Sequence, residues 1–309
     1  MKLPARVLVY EVGPRDGLQN VDTALPVATK VRFVEALAEA GLPAVEAGAF
    51  VSPKAIPQMA ASDALYAQLR RRPGVRYPAL VPNEKGLDAA LAAGVEEIAV
   101  FTAASETFNQ RNINASIAES LQRFAPVVKR ARDAGVRVRG YVSTCFGCPY
   151  EGRVDPKVVH RVTRDLFALG VQEVSLGDTI GVGVPSQVAD VVGPLLDEFG
   201  RAAIALHFHD TRGTALANVL ESLRSGVEIF DASAGGLGGC PYAPGATGNL
   251  ATEDLVYMLH GMGIATGVDL DRLVDASRIA EEALGTSLPS RVYHATLATR
   301  RRAAKARLQ

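Results

Sequence analysis

Short apolar runs and amphipathic stretches alternate along the whole chain. The runs are rich in β-branched residues, as in buried strands, and the amphipathic stretches repeat apolar side chains at three- and four-residue spacing, as in helices. Eight strands are predicted, at residues 7–12, 44–51, 75–81, 97–102, 136–143, 172–176, 203–209 and 229–234. Strict alternation of strands and helices indicates a parallel sheet with crossover helices. Eight such units favour closure into a TIM (β/α)8 barrel over an open sheet.

The ends of the predicted helices carry start and stop signals. A glycine follows most of the amphipathic stretches, as at Gly41 and Gly170, where it suits the left-handed residue that ends a helix. Asp155 and Pro156 form an N-cap followed by Pro at the first helical position. After the eighth strand, helices are predicted at about 250–259 and 269–284, followed by a basic tail. We therefore expect a barrel domain at residues 1–268 and a short C-terminal helical extension at 269–309, packed on or beside it.

Composition and charge exclude several classes of protein. The 309 residues are 48% hydrophobic and 21% charged, and 33 basic residues balance 33 acidic ones. This balance argues against a nucleic-acid or membrane-surface protein, and no apolar run is long enough for a membrane span. Three cysteines do not make a disulfide framework, so we expect thiols in a reducing compartment and a cytoplasmic protein. No glycine-rich nucleotide fingerprint follows the first strand, which argues against a dinucleotide-binding sheet.

Chemically able residues gather where the predicted strands end, which is where barrel enzymes build their active sites. They are Glu11, Arg15, Asp16, Glu46, Asp178, His207, His209, Asp210, Cys240 and Asn249. His207 and His209 stand two apart in one strand, so both imidazoles project from the same face. Asp16 can add a carboxylate oxygen from the first strand. Such a mixed donor set suits Mg, Mn, Co or Zn, and an oxygen-rich shell completed by substrate favours Mg or Mn.

The cysteines differ in their surroundings. Cys145 and Cys148 have the spacing of half a zinc knuckle or of a redox pair, but the chain has no second cysteine pair, so we interpret them as structural. Cys240 lies in a glycine-rich segment that begins at Gly235. Such a segment can act as a mobile flap that carries a reactive thiol over a substrate, or it can be a plain loop with an incidental thiol.

Longer motifs resemble the 3-hydroxy-3-methylglutaryl-CoA lyase family over nearly the whole chain. They are EVGPRDGLQN (11–20), FVSPK (50–54), RGYVS (139–143), GCPYEG (147–152), SLGDTIG (175–181), HFHDT (207–211), GGLGGCPYA (235–243) and GNLATEDLVY (248–257). The RDG and HxH elements alone would name only the wider superfamily of metal-dependent barrel lyases and condensing synthases. The glycine–cysteine loop is specific to the lyase branch.

This resemblance implies a reaction, a cofactor and a set of site residues. The reaction is cleavage of (S)-3-hydroxy-3-methylglutaryl-CoA to acetyl-CoA and acetoacetate, as in leucine and ketone-body catabolism, by a protein that forms homo-oligomers. The implied ligands of a divalent cation, Mg or Mn, are Asp16, His207, His209 and Asn249. The other implied residues are the catalytic Cys240, the substrate-binding Arg15, and the supporting carboxylates Glu46 and Asp178. In a retro-aldol step, Arg15 would stabilise the enolate, and His207 or Asp16 could accept the hydroxyl proton.

Departures from the family pattern leave alternatives open. The chain has Ala47, Gly48 and Ala49 where the family often has hydroxyl groups, so a longer 3-hydroxy-3-alkylglutaryl-CoA is a second candidate substrate. Arg212, also unusual, could grip a substrate carboxylate or pair with an acid such as Glu221. A condensing acyltransferase of the isopropylmalate or homocitrate synthase type and a catalytically silent barrel are further alternatives. Such acyltransferases usually carry extra C-terminal regions, for which this chain has no room. The intact ligand set argues against a silent barrel.

Overall fold

The computed structural model describes residues 3–239 and 248–307. Its strands form one parallel sheet, in the order β2-β1-β9-β8-β7-β6-β5-β4-β3. They are β1 (Leu8–Glu11), β2 (Ala44–Val45), β3 (Gly48–Ala49), β4 (Ala79–Leu80), β5 (Glu97–Ala103), β6 (Arg137–Ser143), β7 (Glu173–Asp178), β8 (Ile204–Phe208) and β9 (Ile229–Ala232). The alternation seen in the sequence therefore gives the predicted parallel topology.

The sheet closes on itself because its two ends, β2 and β3, are halves of the second predicted strand. The first half pairs with β1, and the amide of Glu46 donates to the Glu11 carbonyl at 2.8 Å. The second half pairs with β4, and the amide of Ala47 donates to the Pro78 carbonyl at 3.0 Å. The prediction of one continuous strand over 44–51 was wrong in this detail, since regular pairing lapses between the halves. The prediction of a closed (β/α)8 barrel is confirmed.

Helices surround the sheet in the predicted alternation. They are α1 (Val27–Glu39), α2 (Ser62–Gln68), α3 (Glu84–Ala92), α4 (Glu106–Ile113), α5 (Ile117–Asp133), α6 (Pro156–Leu169), α7 (Pro185–Phe199), α8 (Ala215–Ser225), α9 (Thr252–Gly261), α10 (Leu270–Leu284) and α11 (Arg291–Arg307). In the part of the chain that the structure describes, no helix is both long enough and apolar enough to cross a bilayer.

Helix α6 shows how local sequence sets an element. The Asp155 side chain accepts from the Lys157 amide at 2.9 Å, and Gly170 ends the helix at φ 102°. Its inner face buries Val159, Val162 and Leu166 completely. Burying each such side chain stabilises the fold by about 1.5–3 kcal/mol.

The C-terminal helices pack on the barrel. The Asp269 amide, at the start of α10, donates to the Ala40 carbonyl at 2.7 Å at the end of α1. The Ser290 amide donates to the Gly235 carbonyl at 3.0 Å, so the connection between α10 and α11 touches the loop after β9. In the basic tail, Arg300 pairs with two acids of α10 at 2.7 Å. The predicted boundary at 268/269 stays a prediction.

Candidate active site and metal centre

The loop after β1 folds into a single π-helical turn, Gly13–Gly17. The amides of Arg15, Asp16 and Gly17 all donate to the Val12 carbonyl, at 3.1, 2.7 and 3.1 Å. A Cβ at Gly17 would lie 2.8 Å from the Ser233 Oγ, so this turn needs a glycine to pack against the loop after β9. The tight turn projects Arg15 and Asp16 into the mouth of the barrel.

Three of the four predicted metal ligands come together there. Asp16, His207 and His209 can each present one donor atom, and these atoms lie within 4.8 Å of one another. His207 lies in β8 and His209 directly after it, so the pleat places both rings on one face, with centroids 5.1 Å apart. A carboxylate oxygen and two imidazole nitrogens form a donor set that divalent cations bind.

The fourth predicted ligand, Asn249, stands beside this cluster. Its Nδ2 donates to Asp16 Oδ2 at 2.9 Å and to the Leu237 carbonyl at 3.1 Å. The Asn249 Oδ1 and the His209 Nδ1 are buried and have no hydrogen-bond partner among the described residues. Buried polar atoms rarely stay unpaired. These orphaned donor atoms therefore fit a divalent cation, although the ligand roles of all four residues stay predictions.

Burial and nearby charges put two of these groups in the protonation states that bind metal. Burial alone would raise the pKa of Asp16, but Arg15 and the two histidines hold it at about 2. Burial, together with the neighbouring His207, lowers the pKa of His209 to about 3. At neutral pH the carboxylate is therefore ionised and the His209 imidazole is neutral.

Arg15 is held from two sides. Its Nε donates to Glu46 Oε2 at 2.8 Å, and its Nη1 donates to Asp16 Oδ1 at 2.7 Å. The guanidinium also lies over the Tyr141 ring, 5.3 Å from its centroid, and the Tyr141 hydroxyl donates to the same Glu46 oxygen at 3.0 Å. Glu46 is fully buried and does not line the cavity, and its catalytic role stays a prediction.

The structure does not bring Asp178 into the metal cluster. Its two carboxylate oxygens accept from the amides of Val182 and Gly183, at 3.0 and 2.9 Å. Burial raises the pKa of Asp178 to about 6, although these amides work in the opposite direction. Asp178 therefore organises the loop after β7, and its catalytic role stays a prediction.

The Arg212 side chain contacts the loop after β7. The pairing of Arg212 with Glu221 was wrong: Arg212 Nη1 donates to the carbonyls of Ile180 and Gly181, at 2.8 and 3.1 Å, because these lie within its reach across the loop after β7. Glu221 instead pairs with Arg224 at 3.3 Å. Cys145 and Cys148 are buried free thiols. Cys240 lies outside the described residues, so its catalytic role stays a prediction.

A cavity of about 250 Å³ opens beside the metal cluster. Its polar side comes from the loop after β1 and from β8, and includes Arg15, Asp16, His207 and His209. Its other side, near β3, β4 and β5, is apolar and is formed by Val51, Ile56, Leu80, Phe101 and Phe108. Sequence reasoning gave no role to several polar lining residues: Gln19, Asn20, Asn112, Tyr141, Ser143, Ser175 and Thr179. Tyr141 and Ser143 were marked only by the RGYVS motif, whose two-residue spacing along β6 points both side chains inward.

Closed-barrel topology and a donor cluster at the carboxyl ends of the strands define a (β/α)8-barrel protein with a candidate divalent-metal centre. A family model described as HMGL-like matches residues 6–280. The chain belongs to this family.

Individual relatives agree with this assignment. The chain is 55% identical over 298 residues to the 3-hydroxy-3-isohexenylglutaryl-CoA/hydroxy-methylglutaryl-CoA lyase of Pseudomonas aeruginosa, covering 96% of this chain and 99% of that one. It is 54% identical over 293 residues to the mitochondrial hydroxymethylglutaryl-CoA lyase of Bos taurus, covering 95% and 90%. A lyase of Acinetobacter baumannii, solved with coenzyme A and 3-methylmalate, superimposes with a TM-score of 0.91 at 38% identity and covers 96% of both chains.

Proposed function

We propose that this chain is a carbon–carbon lyase that cleaves (S)-3-hydroxy-3-methylglutaryl-CoA to acetyl-CoA and acetoacetate. The observation that carries the proposal is the convergence of Asp16, His207 and His209 beside a cavity that the Arg15 guanidinium also lines. Relatives that cover nearly the whole chain carry this activity in their names, and one of them was solved with coenzyme A. An acyl-CoA is therefore the proposed substrate.

In this reaction the bond between C2 and C3 of the acyl group breaks. The hydroxyl on C3 loses its proton and becomes the ketone of acetoacetate, while the electron pair passes to C2 and the thioester oxygen as an enolate. A proton added to C2 then gives acetyl-CoA. Mg or Mn, the proposed cofactor, would supply Lewis-acid activation of the hydroxyl. Asp16, His207, His209 and Asn249 would hold it.

Arg15 is placed to stabilise the enolate. Its guanidinium keeps its charge at all relevant pH values and is fixed by Glu46 and Asp16, so the cation does not need to reorganise as negative charge develops on the substrate. With only about 6% of its surface exposed, Arg15 acts where water screens little. This makes it the proposed substrate-binding and catalytic cation.

His207 was a candidate both for binding metal and for accepting the hydroxyl proton. Its Nδ1 is buried and lies 3.4 Å from Asp231 Oδ2, which leaves Nε2 for the cavity. One nitrogen cannot hold a cation and accept a proton at the same time. We therefore assign His207 to the cation, which leaves the Asp16 carboxylate, with its two oxygens, as the candidate that accepts the hydroxyl proton.

The apolar side of the cavity favours a second candidate substrate. Val51, Ile56, Leu80, Phe101 and Phe108 form an apolar lining opposite the residues proposed to hold the cation. A 3-hydroxy-3-alkylglutaryl-CoA with a longer alkyl chain, such as the isohexenyl compound in the name of the Pseudomonas aeruginosa relative, would also fit this side.

A panel assay tests the reaction and the substrate together. Acetyl-CoA release is measured with the 3-methyl and the 3-isohexenyl thioester in the presence of Mg or Mn, and condensation of acetyl-CoA with 2-oxo acids is measured in parallel. We expect release and no condensation, with His209→Gln inactive. The matched control His260→Gln, which alters a histidine that is bonded to Thr266 and does not line the cavity, should stay active. Condensation without release would overturn the proposal in favour of an acyltransferase.

A further inference from the structure

Asp231 is a carboxylate in the interior of an apolar strand. It stands in β9 between Phe230 and Ala232 and is about 1% exposed. A charge in such a position costs free energy unless it is paired and hydrogen bonded. The register of the barrel places Asp231 opposite Tyr10 on β1 and opposite His207 on β8. The closed sheet therefore brings this carboxylate beside a proposed metal ligand.

Every contact of Asp231 fixes its orientation. Its Oδ1 accepts from Arg139 Nη2 at 2.6 Å. Its Oδ2 accepts from the Ser175 hydroxyl at 2.7 Å and from Arg139 Nη1 at 3.2 Å. The same Oδ2 lies 3.4 Å from His207 Nδ1, a buried nitrogen that makes no hydrogen bond within the described residues, so the two groups are in contact but not hydrogen bonded in this structure. A carboxylate held by three donors cannot turn away from the imidazole.

Arg139 carries one positive charge between two carboxylates. Its Nε donates to Glu173 Oε1 at 2.6 Å, opposite the pair with Asp231, and its guanidinium lies 3.8 Å from the centroid of the Tyr10 ring. Glu173 also pairs with Arg137, at 3.0 Å, so these two carboxylates face two guanidinium groups. Asp231 has Arg139 as its cationic partner and lies next to the imidazole of His207.

The same guanidinium also connects to the second half of the site. Arg139 Nη1 donates to the Tyr141 hydroxyl at 2.9 Å, and that hydroxyl donates to Glu46, which holds Arg15. One buried arginine thus supports both the side of the cavity that presents His207 and the side that presents Arg15. Rigid support of this kind keeps donor atoms at productive distances.

We propose that Asp231 is the positioning residue of His207: it accepts the Nδ1 proton, fixes the neutral tautomer and directs the Nε2 lone pair to the cation. Carboxylates behind metal-binding histidines act in this way in other proteins, and their loss typically weakens metal affinity by about 10- to 100-fold. This proposal rests on the metal centre proposed above. Its alternative is that Asp231 only neutralises Arg139.

Two matched variants of the full chain separate these roles. Asp231→Asn and Glu173→Gln each remove one of the two carboxylates that neutralise Arg139, and both sites are buried, but only Asp231 faces His207. We expect the dissociation constant for Mn²⁺, measured by equilibrium dialysis with the metal alone, to rise at least tenfold in Asp231→Asn and less than threefold in Glu173→Gln. Equal effects in the two folded variants would overturn the proposal.

A measurement on the unaltered chain covers the case in which Asp231→Asn does not fold. The chain is labelled with ¹⁵N-histidine and loaded with Mg²⁺, and long-range proton–nitrogen correlation gives the tautomer of each ring. Loss of one ring's signals in His207→Asn assigns that residue. We expect His207 to carry its proton on Nδ1, and a proton on Nε2 would overturn the proposal.

Failure of this inference is distinguishable from failure of the proposed function. A wild-type chain that binds no Mn²⁺ and releases no acetyl-CoA contradicts the metal centre itself. A wild-type chain that binds Mn²⁺ as tightly as Asp231→Asn, and still cleaves the thioester, contradicts only the role of Asp231.

Discussion

Replacing Arg15 by Gln removes the cation that lies between Glu46 and Asp16 at the mouth of the barrel. Glutamine is shorter and neutral, so both contacts of the guanidinium, at 2.8 and 2.7 Å, are lost. Glu46 is fully buried and keeps only the Tyr141 hydroxyl at 3.0 Å among the partners described above. The variant therefore changes both the chemistry of the cavity and the balance of buried charge.

The loss of turnover and the loss of stability in this variant have different expected sizes. Loss of an electrostatic stabiliser of the enolate typically lowers turnover about 100- to 1000-fold. Breaking a buried ion pair by removing one partner typically costs about 3–5 kcal/mol, because the other charge is left uncompensated. The double variant Arg15→Gln, Glu46→Gln removes that leftover charge as well. It should recover much of the lost stability without recovering activity.

The assay compares kcat/KM for acetyl-CoA release with the free energy of unfolding in urea. Arg76→Gln is the control, since it breaks an arginine–glutamate pair with Glu97, also at 2.8 Å, outside the set of residues that line the cavity. We expect Arg76→Gln to stay within about threefold of the wild-type kcat/KM, whereas removal of an electrostatic catalyst typically lowers turnover about 100- to 1000-fold. A folded Arg15→Gln variant with near-normal turnover would refute the assigned role.

Further predictions concern the loop after β9 and a buried acid. Gly235 has φ 68°, and a Cβ there would lie 2.4 Å from Leu288 Cδ1. Gly135 has φ 74°, but nothing lies within 4 Å of a Cβ there, so Gly135→Ala should lower the unfolding free energy by about 1 kcal/mol from backbone strain alone. Gly235→Ala should lower it by more. If urea titrations gave equal losses of unfolding free energy for the two variants, the Leu288 side chain would move aside without an energetic cost. Burial raises the pKa of Glu11 to about 7, although hydrogen bonds from Thr252, Ala234 and Gly13 oppose this. The protonated form then contributes stability that is present below about pH 4.5 and is lost as pH rises through about 7, on the order of 3 kcal/mol. Glu11→Gln should flatten this part of the stability profile between pH 5 and 8, and an unchanged slope would argue that Glu11 is already ionised at pH 5.

Much of the fold was predictable because it rests on local signals. Hydrophobic runs and amphipathic periods gave the strand–helix order, and Asp155 and Gly170 gave the limits of α6. The division of the second strand was not predictable, since it follows from pairing with β1 on one side and β4 on the other. Helix α9 begins at Thr252 and not at 250, because residues before it still pair with the loops after β8 and β9.

The site was predictable only in part for a similar reason. The spacing of His207 and His209 is a local feature, and the barrel rule explains why Asp16 lies near them. The roles of Arg139 and Asp231 were missed, although a charged residue within an apolar strand is itself a signal that a partner must exist. Which partner it takes depends on closure of the barrel, which sequence spacing does not specify. The wrong pairing of Arg212 with Glu221 has the same origin, since its reach to the Ile180 carbonyl depends on how two loops meet.

The most direct test is acetyl-CoA release from 3-hydroxy-3-methylglutaryl-CoA by chain stripped of metal with EDTA and then titrated with Mg²⁺ or Mn²⁺. We expect no turnover above background without the cation and saturable recovery as it is restored, with bound metal approaching one cation per chain. His209→Gln should show neither recovery nor stoichiometric binding, because it removes one of the three converging donors. Equal rates with and without the cation, or cleavage by His209→Gln at the wild-type rate, would contradict a metal-assisted lyase at this site.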